Sequence, residues 1–314
     1  MVTRGSIVAD IGGTNARFAC ISANSPVLQH IGILSTAEFS TIEAAIRHYL
    51  ASIPDMNIDT LCLALAGPVA QDNIQLTNNP WHFSRAALEQ SLGVRVAVIN
   101  DFYAQACCLD LLAPEELDWF DAERPQGDRM RVIMGPGTGL GVAGIGPGGT
   151  ILPTEGGHIT FAPTDEHQLA LLQVLWRQLP RVSAERLVSG PGLCNLYHAN
   201  SVLAGAPATL TPAQITAGAL QGNPLCVRSV RDFLDILAAV AGDLALALGA
   251  LDGVYLAGGI LPRLGALLDR ERFRQYFNAK GRLAPWCAAV PVALARADYM
   301  GLRGCAGALQ RGLV

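Results

Sequence analysis

Asp10 closes a short β-rich run from Ser6 to Ile11 and leads into Gly12-Gly13-Thr14. Glycine in a tight turn lets backbone N–H groups approach an anion, and a neighbouring carboxylate can hold Mg2+ through water. An ordinary Gly-Gly hairpin turn is the plainer reading of the same residues. Gly135-Pro136-Gly137-Thr138-Gly139-Leu140-Gly141 repeats the theme in mid-chain. Gly139, Gly141 and Gly144 fit G-x-G-x-x-G, but a dinucleotide site needs a helix to begin at that turn. Gly146-Pro147-Gly148-Gly149 follows too soon for one, so the segment reads as a hairpin. Two such loops facing each other could hold a polyphosphate on backbone amides, without lysine. A third turn, Ala257-Gly258-Gly259, leads from a strand into a helix. A flat adenine or ribose could lie there against bare backbone, and close strand-on-helix packing explains the glycines equally well.

The polar candidates sit at comparable places. Asn100-Asp101 follows the apolar run Val96 to Ile99, and ligands of α/β sheets gather at strand carboxyl ends. Asp101 is placed to act as a general base that accepts a hydroxyl proton, or merely to cap the next helix. Glu155-Gly156-Gly157-His158 and Glu185 supply two more carboxylates and an imidazole. With the Asn100 amide, such a set suits a molecule bearing several vicinal hydroxyls. A metal site built from Glu155 and His158 lacks an evident third ligand. Glu185, taken alone, reads as a surface helix residue near Arg186.

These residues must be positioned by a recurring order of elements. Ser6 to Ile11, Ala16 to Ser22 and Pro26 to Leu34 read as three strands with turns at Gly12-Gly13 and Asn24-Ser25. A capping box at Ser40-Thr41-Ile42-Glu43 opens a helix with Ile42, Ala45, Ile46 and Tyr49 on one face. Strand Thr60 to Leu65, helix Ser84 to Leu92, strand Arg95 to Ile99 and a helix from Asp101 follow. Arg131 to Gly135, Gly141 to Ile145 and Thr150 to Pro153 then start the pattern again. After them comes a helix whose stripe is Leu169, Leu172, Leu175 and Leu179. A helix-rich stretch to Gly249, strands at Gly253 to Ala257 and Val290 to Leu294, and a final helix striped by Tyr299, Leu302, Ala306 and Leu309 complete the chain. The topology repeats although the sequence does not. Two similar α/β halves imply a cleft, a common place for a small-molecule site. The acidic, proline-bearing stretch from Pro114 to Arg129 reads as a solvated connection near a boundary.

Composition excludes several functions. The 314 residues carry 22 basic side chains, of which only Lys280 is lysine, against 26 acidic ones. A formal charge of -4 gives no footprint for nucleic acid, and a phosphate-gripping P-loop or kinase lysine is absent. Eight scattered cysteines without a C-x-x-C pair read as reduced core thiols rather than zinc ligands. The nearly apolar run Phe233 to Leu251 is interrupted by Asp235 and Asp243, so it reads as a helix buried in protein rather than in a membrane. Strand-like sequence from Ser6 leaves no room for a signal peptide, and a cytoplasmic protein is expected.

Several of these segments together resemble a known family. Asp10-Ile11-Gly12-Gly13-Thr14-Asn15-Ala16-Arg17, Leu76-Thr77-Asn78-Asn79-Pro80-Trp81-His82-Phe83, Asn100-Asp101-Phe102, the Gly135 to Gly141 run, Glu155-Gly156-Gly157-His158 and Ser183 to Leu193 look like bacterial glucokinase of the proteobacterial type. Leu256-Ala257-Gly258-Gly259-Ile260 extends the likeness toward the end. The glycine motifs belong to a wider actin-like sugar kinase superfamily, whereas Glu-Gly-Gly-His and Ser-Ala-Glu-Arg are specific. The resemblance implies an α/β, duplicated ribonuclease-H-like (actin-like ATPase) fold. Its small domain would take residues 1–109 and 299–314, its large domain residues 110–298, with ATP and glucose meeting in the cleft. It further implies that Asn100, Asp101, Glu155, His158 and Glu185 bind sugar hydroxyls, with Asp101 as the base at the 6-hydroxyl. Ala9, Asp10, Ile11, Gly12, Gly13, Thr14, Thr138 and Gly139 would serve the phosphates, with Gly258 by the adenosine. Asp10 would orient Mg2+ through water, and a homodimer is the implied assembly. The related repressor and kinase family carries a cysteine-rich zinc motif after its Glu-x-Gly-His segment; here Gly157 to Pro163 contains no cysteine.

The expected activity is ATP-dependent phosphorylation of D-glucose to glucose 6-phosphate. Two rivals stay open: a kinase for another hexose (mannose, fructose or N-acetylglucosamine), and a non-catalytic sugar sensor.

Overall fold

The computed structural model describes residues 4–23, 25–53, 56–76 and 79–314; the turn position Asn24 and Thr77-Asn78 of the Leu76 to Phe83 motif lie outside the described residues. The chain divides into two compact units, Met1–Pro114 with Ala297–Val314, and Glu115–Arg296.

In the first unit, β1 (Arg4–Ile11), β2 (Asn15–Ser22) and β3 (Ser25–Ser35) form an antiparallel meander. Next come α1 (Ile42–Ser52), β4 (Asn57–Leu65), a hairpin of β5 (Asn73–Gln75) and β6 (His82–Ser84), α2 (Arg85–Leu92), β7 (Arg95–Asn100) and α3 (Asp101–Cys108). The main sheet has the order β3-β2-β1-β4-β7, with β4 parallel to both β1 and β7. Strands covered on both faces read as unbroken apolar runs, and Leu61 to Leu65 of β4 is buried throughout. The α1 stripe Ile42, Ala45, Ile46 and Tyr49 is buried. Its cap differs from expectation: Thr41, not Ser40, accepts the Ala44 N–H at 3.1 Å. Glu43 therefore falls one position early for a capping box and instead accepts from Arg47 (2.9 Å) one turn on, and from Ser91 (2.5 Å). The β5–β6 hairpin was not anticipated, because three-residue strands carry no readable period.

The second unit opens with β8 (Leu117–Trp119) and restarts the meander with β9 (Arg131–Pro136), β10 (Leu140–Ile145) and β11 (Ile151–Thr154). Helices α4 (Glu166–Leu175), α5 (Gly190–Leu203), α6 (Pro212–Leu220) and α7 (Pro224–Leu248) follow. Then come β12 (Val254–Leu256), α8 (Leu261–Leu264), α9 (Arg270–Asn278), α10 (Ala284–Ala288) and β13 (Val292–Ala295). The sheet order is β11-β10-β9-β12-β13-β8. Apart from the added edge strand, this matches the first sheet strand for strand, antiparallel pairs first and parallel pairs after. The fold is thus the duplicated ribonuclease-H-like, actin-like α/β fold. The helix Met300–Gln310 follows β13 in sequence but belongs to the first unit, where Gly304 lies against Ala104 of α3.

Two local expectations change. Of the α4 stripe, Leu172 and Leu175 are buried and Leu179 packs against the core, but Leu169 is 42 % exposed while Gln168, Leu171 and Val174 are buried. The buried face runs through positions 168, 171, 172 and 175 and leaves Leu169 at its edge, and the buried Gln168 Oε1 accepts the Thr164 N–H at 2.9 Å. The Pro114 to Arg129 stretch is partly built in: Leu117–Trp119 pairs with β13, and Asp118 accepts from Arg270 (2.6 Å) and Arg296. The acids of α7 are held by cations, Asp235 by Arg272 at 2.6 Å and Asp243 by Lys280 at 2.7 Å. Among the described residues no helix is long and apolar enough to cross a membrane.

Candidate functional site

In the first unit the candidates share the carboxyl edge of the parallel strands. Ile11 pairs with Leu65, and Leu65 pairs with Asn100. Strands lie about 4.8 Å apart, so Ile11 and Asn100 are separated by about 10 Å along one row. Asp101 follows directly as the first residue of α3. The capping role belongs to Asn100, whose Oδ1 accepts the N–H groups of Phe102 (2.9 Å) and Tyr103 (3.1 Å) while its Nδ2 donates to Gly67 O (3.4 Å). Asp101 Oδ1 also accepts the Phe102 N–H, at 2.9 Å. The helix start therefore does not explain Asp101 as its cap.

Asp10 stands opposite Arg17 across the β1–β2 hairpin, with Arg17 Nη1 3.5 Å from Asp10 Oδ2. Burial pushes the Asp10 carboxyl up, and the Arg17 guanidinium opposes that rise. The turn between them is braced by the end of β3: Thr36 Oγ1 donates to Gly13 O (2.8 Å), and the Thr36 N–H donates to Thr14 O (3.0 Å). Behind Asp10 lies Gly301 of the last helix, where a Cβ would fall 2.7 Å from Asp10 Cγ and 2.8 Å from Oδ2. Sequence reasoning missed both neighbours. Arg17 was countable, since a turn over 12–14 pairs position 10 with 17; nothing local signals Gly301.

In the second unit the structure gathers Glu155, His158 and Glu185. The segments around His158 and Val182 pair side by side, through Phe161 N–H to Val182 O (3.0 Å) and Ala184 N–H to Ile159 O (2.9 Å). Arg181 adds a donor to His158 O at 2.5 Å. The His158 ring then sits between the carboxylates, 3.9 Å from Glu155 Oε2 and 3.9 Å from Glu185 Oε1. Neither distance is a hydrogen bond, and the side chains are 54, 69 and 28 % exposed for His158, Glu155 and Glu185. Three polar groups that do not satisfy one another can take hydroxyls from a ligand. Among the described residues no group of three or more His, Cys, Asp or Glu is arranged to hold a metal ion.

The β9–β10 turn adjoins this trio. Leu140 N–H donates to Glu185 Oε2 at 3.0 Å, beside Gly139, and Thr138 is exposed at the turn's tip. On the other flank Gly258, with φ 83°, packs on the same hairpin so closely that a Cβ would lie 2.6 Å from Pro136 O. The Glu155, His158 and Glu185 side chains, a glycine turn with Thr138 exposed at its tip and a bare strand-to-helix turn thus lie side by side.

A family model described as Glucokinase matches residues 7–312. The glucokinase of Chromohalobacter salexigens is 44 % identical over 98 % of both chains. A crystal structure of glucokinase from an Antarctic psychrotroph is 38 % identical, covers 98 % of this chain and 99 % of its own, and superposes with a TM-score of 0.87. A ROK family glucokinase from Streptomyces griseus, crystallised with glucose and AMPPNP, shares the fold at a TM-score of 0.62 and 20 % identity, covering 96 % of this chain and 98 % of its own.

Proposed function

The chain belongs to the glucokinase family, and on that premise we propose which of its residues carry out the ATP-dependent phosphorylation of D-glucose to glucose 6-phosphate. Asn100, Asp101, Glu155, His158 and Glu185 bind the sugar hydroxyls. Asp101 accepts the proton of the 6-hydroxyl as that oxygen attacks the γ-phosphorus in line. The observation that carries this role is position: Asp101 opens α3 directly after β7, at a strand carboxyl end where α/β sheets place their ligands, while Asn100 holds the cap.

Phosphates are bound by the Ala9-Asp10-Ile11-Gly12-Gly13-Thr14 turn and by Thr138 and Gly139, whose backbone amides stabilise charge on the transferring group. Gly258 lies against the adenosine. Asp10 is a hard oxygen donor at the same strand edge, which suits Mg2+ held mainly by phosphates and water with one carboxylate. When bound, the ion neutralises phosphate charge. The chain itself supplies orientation: Arg17 keeps Asp10 directed, and Asn100 fixes the start of α3 beside the base. We place the enzyme in the cytoplasm, a reading supported by eight free thiols, seven of them buried. A homodimer is the assembly that the family resemblance supports.

Asp101→Asn tests the mechanism. Turnover, read as ADP release in a coupled assay, should fall by about 10²–10⁴-fold, while glucose binding measured by calorimetry is largely kept. Near-normal turnover would remove Asp101 from the reaction. Running the wild-type assay across a panel of hexoses identifies the preferred sugar, and ADP release with none of them would mark a sensor.

A further inference from the structure

The β9–β10 turn is gripped at both ends by one short segment, Glu185 to Gly190. At one end Gly190 N–H donates to Gly137 O (2.8 Å), and at the other Leu140 N–H donates to Glu185 Oε2 (3.0 Å). Within the turn, Gly137 N–H donates to Gly139 O (2.8 Å). The gripping segment is itself anchored: Ser189 Oγ donates to Glu185 O (2.7 Å) and accepts from Gly192 N–H (3.0 Å) at the start of α5. The first grip is backbone on backbone. The second uses a side chain whose other oxygen, Oε1, faces His158 Nδ1.

We infer that Glu185 is shared between the two substrates, its Oε1 taking a sugar hydroxyl while its Oε2 sets the Gly137–Leu140 turn, so that sugar binding and the shape of the phosphate-side turn are coupled through one carboxylate. The inference rests on the proposed sugar and phosphate sites and adds a link between them inside the second unit. A carboxylate moves as a rigid plane, so a hydroxyl that draws Oε1 toward itself also reorients Oε2 against the Leu140 amide. Gly139 makes the contact tight, since a Cβ there would sit 2.5 Å from Oε2. Coupling of this kind is reciprocal: a change confined to the turn must alter sugar affinity.

Gly139→Ala is that change. Its new methyl displaces Oε2, and through the shared plane Oε1, although Gly139 has no part in sugar binding. Glucose affinity measured by calorimetry without nucleotide should weaken by about tenfold, the scale of one hydrogen bond to a charged group. Gly137→Ala, where a Cβ meets nothing within 4 Å, should keep wild-type glucose affinity. A second measurement needs no variant: the Leu140 backbone amide resonance of the wild-type protein should shift when glucose alone is added. Wild-type affinity in folded Gly139→Ala, or a Leu140 amide unmoved by saturating glucose, overturns the link and leaves the assigned substrates standing. Failure of the wild-type protein to bind glucose overturns the assigned function and this inference with it.

Discussion

Gly301→Ala separates stability from catalysis at Asp10. The alanine Cβ would lie 2.7 Å from Asp10 Cγ, 2.8 Å from Oδ2 and 3.0 Å from its Cβ, whereas ordinary contacts begin at 3.4 Å. Reaching that limit takes a displacement of about 0.7 Å, and the half-buried carboxylate is the softer partner because the other is helix backbone. Overpacking of this size costs about 1–3 kcal/mol, and replacing glycine within a helix returns up to about 1 kcal/mol. Net stability should therefore fall by about 0–3 kcal/mol, measured from urea unfolding curves. Activity is far more sensitive, since about 1 Å of misplacement can cost about 10²-fold in rate. Steady-state assays should show kcat reduced by about 10–100-fold with KM for glucose little changed. Gly304→Ala is the contrasting case: its Cβ would meet the backbone oxygen of Ala104 at 1.8 Å, and stability should suffer first. A folded Gly301→Ala enzyme with wild-type kcat would refute the view that the last helix holds Asp10 in its working position.

Two further outcomes concern charges away from the site. Lys280 is 8 % exposed, donates to Ala239 O at 2.9 Å and pairs with Asp243 at 2.7 Å; Lys280→Ala should cost about 1–3 kcal/mol in chemical unfolding with kcat unchanged, and lost activity in folded protein would mean the phosphate site is misplaced. Asp252 is buried. Burial raises its pKa, but the Arg129 amide (2.8 Å), the Arg129 guanidinium (2.7 Å) and the Gln126 amide (3.2 Å) outweigh that and hold it below the ordinary value. A depressed carboxyl stabilises fully above its unfolded pKa of about 3.9 and loses that contribution as pH falls through the lower folded value. The stability gap between wild type and Asp252→Asn should therefore be flat near neutrality and close below about pH 4; a gap that widens in acid would contradict the assignment.

Legibility in the sequence followed the range over which each signal acts. The two meanders were readable because glycine turns and short apolar runs are local, and the repeated strand order emerged from them without any sequence repeat. Arg17 opposite Asp10 lay one hairpin count away. Asn100 and Asp101 were visible as a pair, but which of them caps α3 depended on the Asn100 Oδ1 contacts, which one rotamer decides. The stripe on α4 held at Leu172, Leu175 and Leu179 and missed only at Leu169, which lies at the edge of the buried face. Gly301 gave no signal at all, since its meaning depends on a chain that leaves β13, joins the other unit and returns to the first strand. Glu185 is the intermediate case. Alone it looked like a surface residue, and only the pairing of 159–161 with 182–184 brings it to His158 and the β9–β10 turn. Motif resemblance named Glu185 as a sugar ligand, but the bond from Leu140 N–H appears only in three dimensions, because the acceptor is set by a contact between segments 45 residues apart. The residues proposed to touch substrate are therefore the legible ones, and those that hold them in place are read from the fold.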